Sequence, residues 1–421
     1  MKPIAPAALV ILAAAAQAQT VTLTPIPTGA MPKLGGYSPQ RLTLSADKPA
    51  TITKMPEGVS APMYGILTIG PAGTTQVFHL VVDEPEGKDA VLYIDSNGNG
   101  DMTDDKAADW APKKTKNKEG AELTQYNGGG TIEIKYDDTT LPAHLGMYRF
   151  DKTDPARAQL KDVVLYYADY AYEGELALGD KKYRVMVADD MATGDFRGKK
   201  DGKSSGVRLL IDVNGNQKFD VRGETFDIRE PFNIGGTTYQ ITDVSPSGAK
   251  FNVGKSDKQV AEIALPPDHS VGKKITGFEA KTMDGKAISF PSSYKGKIVM
   301  IDFWATWCRP CMDEVPNLAK VYDELHPKGF EILGISLDQK DAEEKIKKVT
   351  GEHKMTWPQV YDGKFWSAEI ADMYVIKSIP AAFLVDGDTG EILADTRGLR
   401  GEALKKTVEA ALAKKYANTK G

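Results

Sequence analysis

The chain has 421 residues, of which 41% are hydrophobic and 26% charged, the balance of ordinary globular protein with room for more than one domain. A net charge of −5 is small for that length and gives no electrostatic case for binding nucleic acid or an anionic membrane surface. Beyond the first stretch, no run is long and apolar enough to span a bilayer as a helix.

Residues 1–18 read as a secretory signal peptide. Lys2 supplies the positive start, residues 4–16 form a short apolar run, and Ala16-Gln17-Ala18 fits a small-x-small cleavage site. No cysteine sits at that junction, which argues against a lipid anchor. The expected mature protein is exported, soluble and, in a Gram-negative source, periplasmic.

From residue 19 to about 260 the pattern is β-rich. Short apolar or alternating runs at 76–82, 90–94, 131–136, 183–187, 207–211 and 237–241 are separated by Gly, Asp, Asn and Pro clusters. Residues 155–164 allow one short helix, and the polar stretch 194–206 reads as a solvated loop. The expected architecture is antiparallel, sandwich- or barrel-like. Residues 90–100 echo residues 207–217, each an apolar strand running into Asp-x-Asn-Gly-Asn. That echo suggests two related β units, 19–150 and 151–262.

Residues 255–272, with Pro266-Pro267, read as a linker or domain entry, and the pattern then changes. Strands are expected at 296–304, 330–337, 381–386 and 391–395. Helices are expected at 314–325, 341–349, 365–374 and 402–416, with a turn at 387–390. Strands alternating with helices and closing on a hairpin predict an α/β sheet with one antiparallel edge over 263–421.

The only two cysteines, Cys308 and Cys311, are three apart at the junction between the first of these strands and its helix. A sulfur at that place faces unpaired backbone N–H groups and the positive end of the helix dipole, which favours the thiolate. Arg309 adds positive charge and Pro310 stiffens the first turn. Cys308 is then the attacking thiolate, and Cys311, one turn deeper and more buried, resolves the mixed disulfide. A zinc half-site would need two further ligands, and a structural bridge across so short a loop would stabilise little. Asp302 interrupts an otherwise apolar strand, where a carboxylate is costly unless paired and desolvation raises its pKa.

The run Asp302-Phe303-Trp304-Ala305-Thr306-Trp307-Cys308-Arg309-Pro310-Cys311 resembles the thioredoxin active-site segment. Its continuation, Met312-Asp313-Glu314-Val315-Pro316-Asn317-Leu318, is similar to the exported TlpA/ResA-like branch, and the resemblance covers about residues 266–418. It implies a thioredoxin fold and dithiol–disulfide exchange with protein thiols or disulfides, in the reducing direction, with electrons from a membrane thiol donor. It implies that Asp302 moves a proton to or from the buried cysteine, although many TlpA-like sequences have Asn there. Glu314 matches an acid that tunes the thiols, its structural alternative being an exposed helix carboxylate. Pro316 should kink the helix. Ile379-Pro380 matches a cis peptide that packs against the cysteine pair and leaves the preceding backbone free for an extended substrate. Trp307 should cover the disulfide and present a docking surface.

Asp95, Asn97, Asn99 and Asp101 alternate as calcium ligands do, with Gly100 at the turn, but Lys106 occupies the place of the bidentate carboxylate. An ordinary hairpin loop is the competing reading there and at Asp212, Asn214, Asn216 and Asp220. Two other functions compete with disulfide exchange: a β-rich module binding an envelope ligand, with the redox domain as scaffold, and a thiol peroxidase. Trp307 directly before Cys308 departs from the Thr-x-x-Cys setting of a peroxidatic cysteine.

Overall fold

The computed structural model describes residues 18–116, 120–200, 202 and 204–417. The leader expected at 1–18 therefore lies, apart from Ala18, outside the described residues. The chain divides into two compact units, Met1–Leu265 and Pro266–Gly421, with the break inside the expected linker.

In the first unit, strands of alternating burial pair into open antiparallel sheets. One five-stranded sheet runs in the order Gln40–Thr43, Val163–Ala168, Thr140–Arg149, Glu122–Lys135, Asp109–Lys116. Another runs Thr225–Asp227, Val207–Ile211, Lys181–Asp189, Ala171–Leu178, Thr24–Ile26. A three-stranded sheet (Pro62–Ile69, Gln76–Asp83, Val91–Ile94) and a four-stranded one complete it, and none closes into a barrel. The separation expected at residues 150–151 is not where the sheets divide. Val163–Ala168 pairs with Thr140–Arg149, and Phe78, Leu80 and Leu145 share one apolar core with Leu176, Val187 and Leu209. Apolar faces from both stretches bury each other, so the main core is shared between them.

Gly128-Gly129-Gly130 reads locally as a breaker, yet the strand Glu122–Lys135 runs straight through it. A Cβ on Gly128 would meet the Asp109 carbonyl oxygen at 1.8 Å, and one on Gly129 the Leu145 carbonyl oxygen at 2.0 Å. Only glycine allows the neighbouring backbones that close. The short helix expected at 155–164 is a 3₁₀ segment, Pro155–Leu160, capped by Asp154.

The second unit opens with a hairpin the sequence did not announce, β1 (Phe278–Lys281) and β2 (Ala287–Phe290). There follow β3 (Ile298–Trp304), α1 (Arg309–Leu325), β4 (Phe330–Ser336), α2 (Glu343–Glu352) and β5 (Gln359–Tyr361). The chain closes with α3 (Glu369–Met373), β6 (Ala381–Asp386), β7 (Ile392–Asp395) and α4 (Gly401–Ala417). The sheet order is β5-β4-β3-β6-β7, parallel from β5 to β3 and antiparallel at β6 and β7. This is the expected thioredoxin fold. Every residue of β3 is buried, which explains a run that is apolar everywhere but at Asp302. Val315, Leu318 and Leu325 of α1 and Leu404, Val408 and Leu412 of α4 join the same core.

One expected helix breaks in two. Residues 365–374 form a 3₁₀ turn, Phe365–Ser367, and then α3, because Phe365 adopts φ +57° and Ala368 is extended at ψ 132°. Pro316 sits inside α1, which continues through it to Leu325. No helix among the described residues is long and apolar enough to cross a membrane.

A candidate redox-active site

Leaving β3 at Trp304, the chain turns through Ala305 and Thr306 before α1 begins. Asp338, buried just after β4, accepts hydrogen bonds from the Thr306 backbone N–H (3.0 Å) and hydroxyl, and from the Ser336 hydroxyl (2.8 Å). A buried carboxylate with that many donors pins the turn that delivers the cysteines. In the sequence it is only an Asp after a strand, and sequence reasoning missed it.

Cys308 is the N-cap of α1 and its sulfur accepts the Cys311 backbone N–H at 3.2 Å, with Pro310 in the first helical turn. Cys308 and Cys311 are joined as a disulfide. The expected contrast in burial is absent in this oxidised pair, where Cys308 is 4% and Cys311 3% exposed. Their difference is positional: Cys308 faces the free N–H groups of the first turn, whereas Cys311 lies within the helix. Arg309 is fully out in solvent, 4.0 Å from Asp313 at i+4, and contributes only a screened charge.

Trp307 keeps its indole N–H on the Leu337 carbonyl (3.2 Å) while 42% of its surface stays exposed. Its ring packs against Phe365 (5.2 Å between centroids) and Trp366 (5.8 Å). Phe365 and Trp366 extend the aromatic surface beside the disulfide, and they could have been suspected only as an aromatic pair in a polar stretch. The Ile379–Pro380 peptide is cis. Ala381, next in the chain, pairs with Phe303, so Pro380 lies at the end of the sheet from which the cysteine turn departs.

Asp302 is 2% exposed in the middle of β3, facing Gly334 and Ala382 on the neighbouring strands. Burial pushes its pKa up and the Glu314 charge adds to that, while Arg400 opposes both. The Arg400 guanidinium donates to Asp302 through Nη2 at 3.1 Å. Glu314 is neither free nor simply exposed. Its Oε1 accepts the Gly401 backbone N–H at 2.9 Å and the Asn317 amide at 2.7 Å, tying α1 to the start of α4.

Residues 271–393 match the model of the AhpC/TSA family. The chain is 31% identical over 144 residues to "Thiol-disulfide oxidoreductase ResA" of Bacillus thuringiensis subsp. konkukian (strain 97-27), covering 34% of this chain and 78% of that protein. Through its C-terminal unit the chain belongs to the ResA family of thiol–disulfide oxidoreductases. "Sporulation thiol-disulfide oxidoreductase A" of Bacillus subtilis (strain 168) is 31% identical over 134 residues, 31% of this chain and 78% of that one. A solved thioredoxin domain of a thiol-disulfide oxidoreductase from Bacteroides vulgatus is 34% identical, over 34% of this chain and 98% of the other, with a TM-score of 0.31.

This ResA-family chain carries its two Asp-Asn-Gly loops in the first unit, and they share a hydrogen-bond ladder. Asp95 Oδ2 accepts the Gly100 N–H (3.0 Å), and Asp212 Oδ2 the Gln217 N–H (2.9 Å). Asn97 accepts from Asn99 N–H and Asn99 from Asp101 N–H, matched by Asn214 with Asn216 and Asn216 with Lys218. The repeat is therefore real as a local fold. The expected calcium ligands do not form a cage in this arrangement. Both Asp95 oxygens are engaged, one with the Asn99 N–H and the other with Gly100 and the His79 ring (2.8 Å), whose far nitrogen lies 2.7 Å from the Thr51 hydroxyl. Lys54 pairs with Asp101 and holds its carboxyl down to about 2. Among the described residues no group of three or more His, Cys, Asp or Glu is gathered as a metal would require.

Proposed function

We propose that this oxidoreductase works outside the cytoplasm as a reductase of protein disulfides, re-reduced by a dithiol donor at the membrane. The observation that carries the reading is Cys308 at the N-cap of α1, bridged to Cys311 and flanked by an exposed aromatic surface. In the reduced enzyme the Cys308 thiolate attacks one sulfur of a client disulfide. A mixed disulfide forms, and the departing client thiolate takes a proton from solvent. Cys311 then gives its proton to the Asp302 carboxylate, attacks the Cys308 sulfur and releases the second client thiolate. The enzyme disulfide consumes two electrons from the donor dithiol to return to the start.

The apolar leader with its Ala16-Gln17-Ala18 junction supports export, and the names of the relatives support thiol–disulfide chemistry. An insulin-reduction assay on the mature protein and its Cys308→Ser variant tests the activity: the variant should fall to the uncatalysed rate, and equal rates would overturn the reading. Equilibration of the pair against glutathione tests direction, a strongly oxidising potential arguing for oxidase work instead.

A further inference from the structure

The dipeptide Arg400-Gly401 touches two carboxylates, Asp302 of β3 and Glu314 of α1. Its side chain meets Asp302 (3.1 Å), and its glycine N–H meets Glu314 (2.9 Å). Asn317 braces the same corner, donating to Glu314 Oε1 at 2.7 Å and to the Gly401 carbonyl at 3.0 Å. Glu314 is thereby held as an acceptor at the first turn of α4. An anion fixed there repels a second anion on Asp302, and only Glu314 of the two acids has the Gly401 N–H as a donor.

Arg400 supplies the missing support. Its side chain is 19% exposed against 3% for Asp302. Its Nε and Nη1 donors are buried without hydrogen-bond partners among the described residues. A guanidinium that leaves two buried donors unsatisfied is poorly placed for stability, because such groups carry the full cost of lost hydration. Among the described residues its guanidinium has one hydrogen-bonded partner, Asp302.

The charged and titratable groups facing Asp302 are few. α1 brings Glu314, the segment before α4 brings Arg400, and the adjoining strands present Gly334 and Ala382. Leu404 and Val408 of α4 are fully buried and uncharged. Arg400 is the cation of this set.

We propose that Arg400 is a positioning residue for thiol–disulfide exchange, holding Asp302 as the carboxylate that receives the Cys311 proton when the mixed disulfide is resolved. The inference rests on the exchange reading above. In the step it serves, the Cys311 S–H bond breaks and its proton passes to Asp302. The Cys311 sulfur bonds to the Cys308 sulfur, and the second thiolate leaves with the electron pair of the broken S–S bond. Without Arg400, Asp302 keeps its own proton to higher pH and cannot take another.

The test uses the full chain, reduced and then capped at Cys308 with Ellman's reagent, and follows release of the coloured thiolate by Cys311 across pH. Wild type should release it, and failure to do so would sink the exchange reading itself. In Arg400→Gln the rising limb of the rate should move up by about one pH unit, the usual scale for loss of one adjacent opposite charge. Arg400→Lys should restore most of that shift. In an Asp302→Asn background, Arg400→Gln should no longer move the limb. A uniform fall in rate at every pH, an unmoved limb, or a shift that persists in Asp302→Asn would overturn the proposal. Arg400→Met removes the charge while keeping the apolar stem, so its limb should move as far as that of the Gln variant. Following the Asp302 carboxyl directly by ¹³C NMR in the wild type and either variant gives the same reading without turnover.

Discussion

The buried Arg149 and Asp189 of the first unit and the buried Asp302 of the second are answered in different ways. In the first, Arg149 is 2% exposed and spends its whole guanidinium: Nε and Nη2 on Glu84 (2.6 and 3.2 Å) and Nη1 on the Val163 carbonyl (3.2 Å). Asp189, 1% exposed, accepts from the Gly194 N–H (2.7 Å), the Thr193 hydroxyl and the Tyr170 hydroxyl (3.1 Å each). In the second, Asp302 has its one described side-chain donor in Arg400, which leaves two of its own donors unspent. Burial alone therefore marks neither structure nor function. A saturated buried charge is locked into the fold, whereas one held by a single charged side chain depends on that partner alone.

That contrast predicts separable effects, and the largest lies in the first unit. Glu84→Gln leaves the Arg149 cation buried without its anion and should cost about 3–5 kcal/mol in chemical unfolding, with insulin reduction unchanged at temperatures where the variant is folded. A loss below about 1 kcal/mol would show that this pair is not the fixed joint its bonds suggest.

Asp189→Asn should act through pH. Burial raises the Asp189 pKa from 3.8 to about 6, its hydrogen bonds opposing but not cancelling the shift. The folded state therefore holds a proton that the unfolded state releases between those values. The stability this contributes is present below the lower value and falls as pH rises to the upper one. Wild type should lose about 3 kcal/mol relative to Asp189→Asn across that window and stay parallel to it above. Denaturation curves of the two proteins from pH 3.5 to 7.5 check this, and parallel curves throughout would contradict it.

The smallest effect belongs to the rim of the active site. Trp307→Ala should raise KM for a protein disulfide several-fold, about 1 kcal/mol, with stability changed by less than about 0.5 kcal/mol. An unchanged KM would confine the Trp307–Phe365–Trp366 surface to packing and bring the second unit closer in character to the first.

The legible part of this molecule was local. The strand at Ala381–Asp386 and the helix ending at Leu325 are readable because period and caps are written in neighbouring residues. The same is true of Cys308 and Cys311, whose spacing puts both sulfurs on one turn. The hairpin β1–β2 escaped because its strands are four residues each, too short for periodicity to register. The strand through Gly128-Gly129-Gly130 escaped because the reason for those glycines is a backbone on another strand.

By itself, the sequence determined that the two cysteines meet at a strand-to-helix turn, where the local chain alone brings them within reach of a disulfide. It also showed that a carboxylate at Asp302 had to be answered by something. Only the tertiary structure decided what answers it. Arg400 lies 98 positions further along the chain and meets Asp302 solely because the chain has crossed β6 and β7 to the start of α4. The same placement sends Glu314 to the Gly401 N–H instead of leaving it in solvent. Pairing across such a distance is set by packing of the whole sheet and its helices, and no spacing within a segment encodes it.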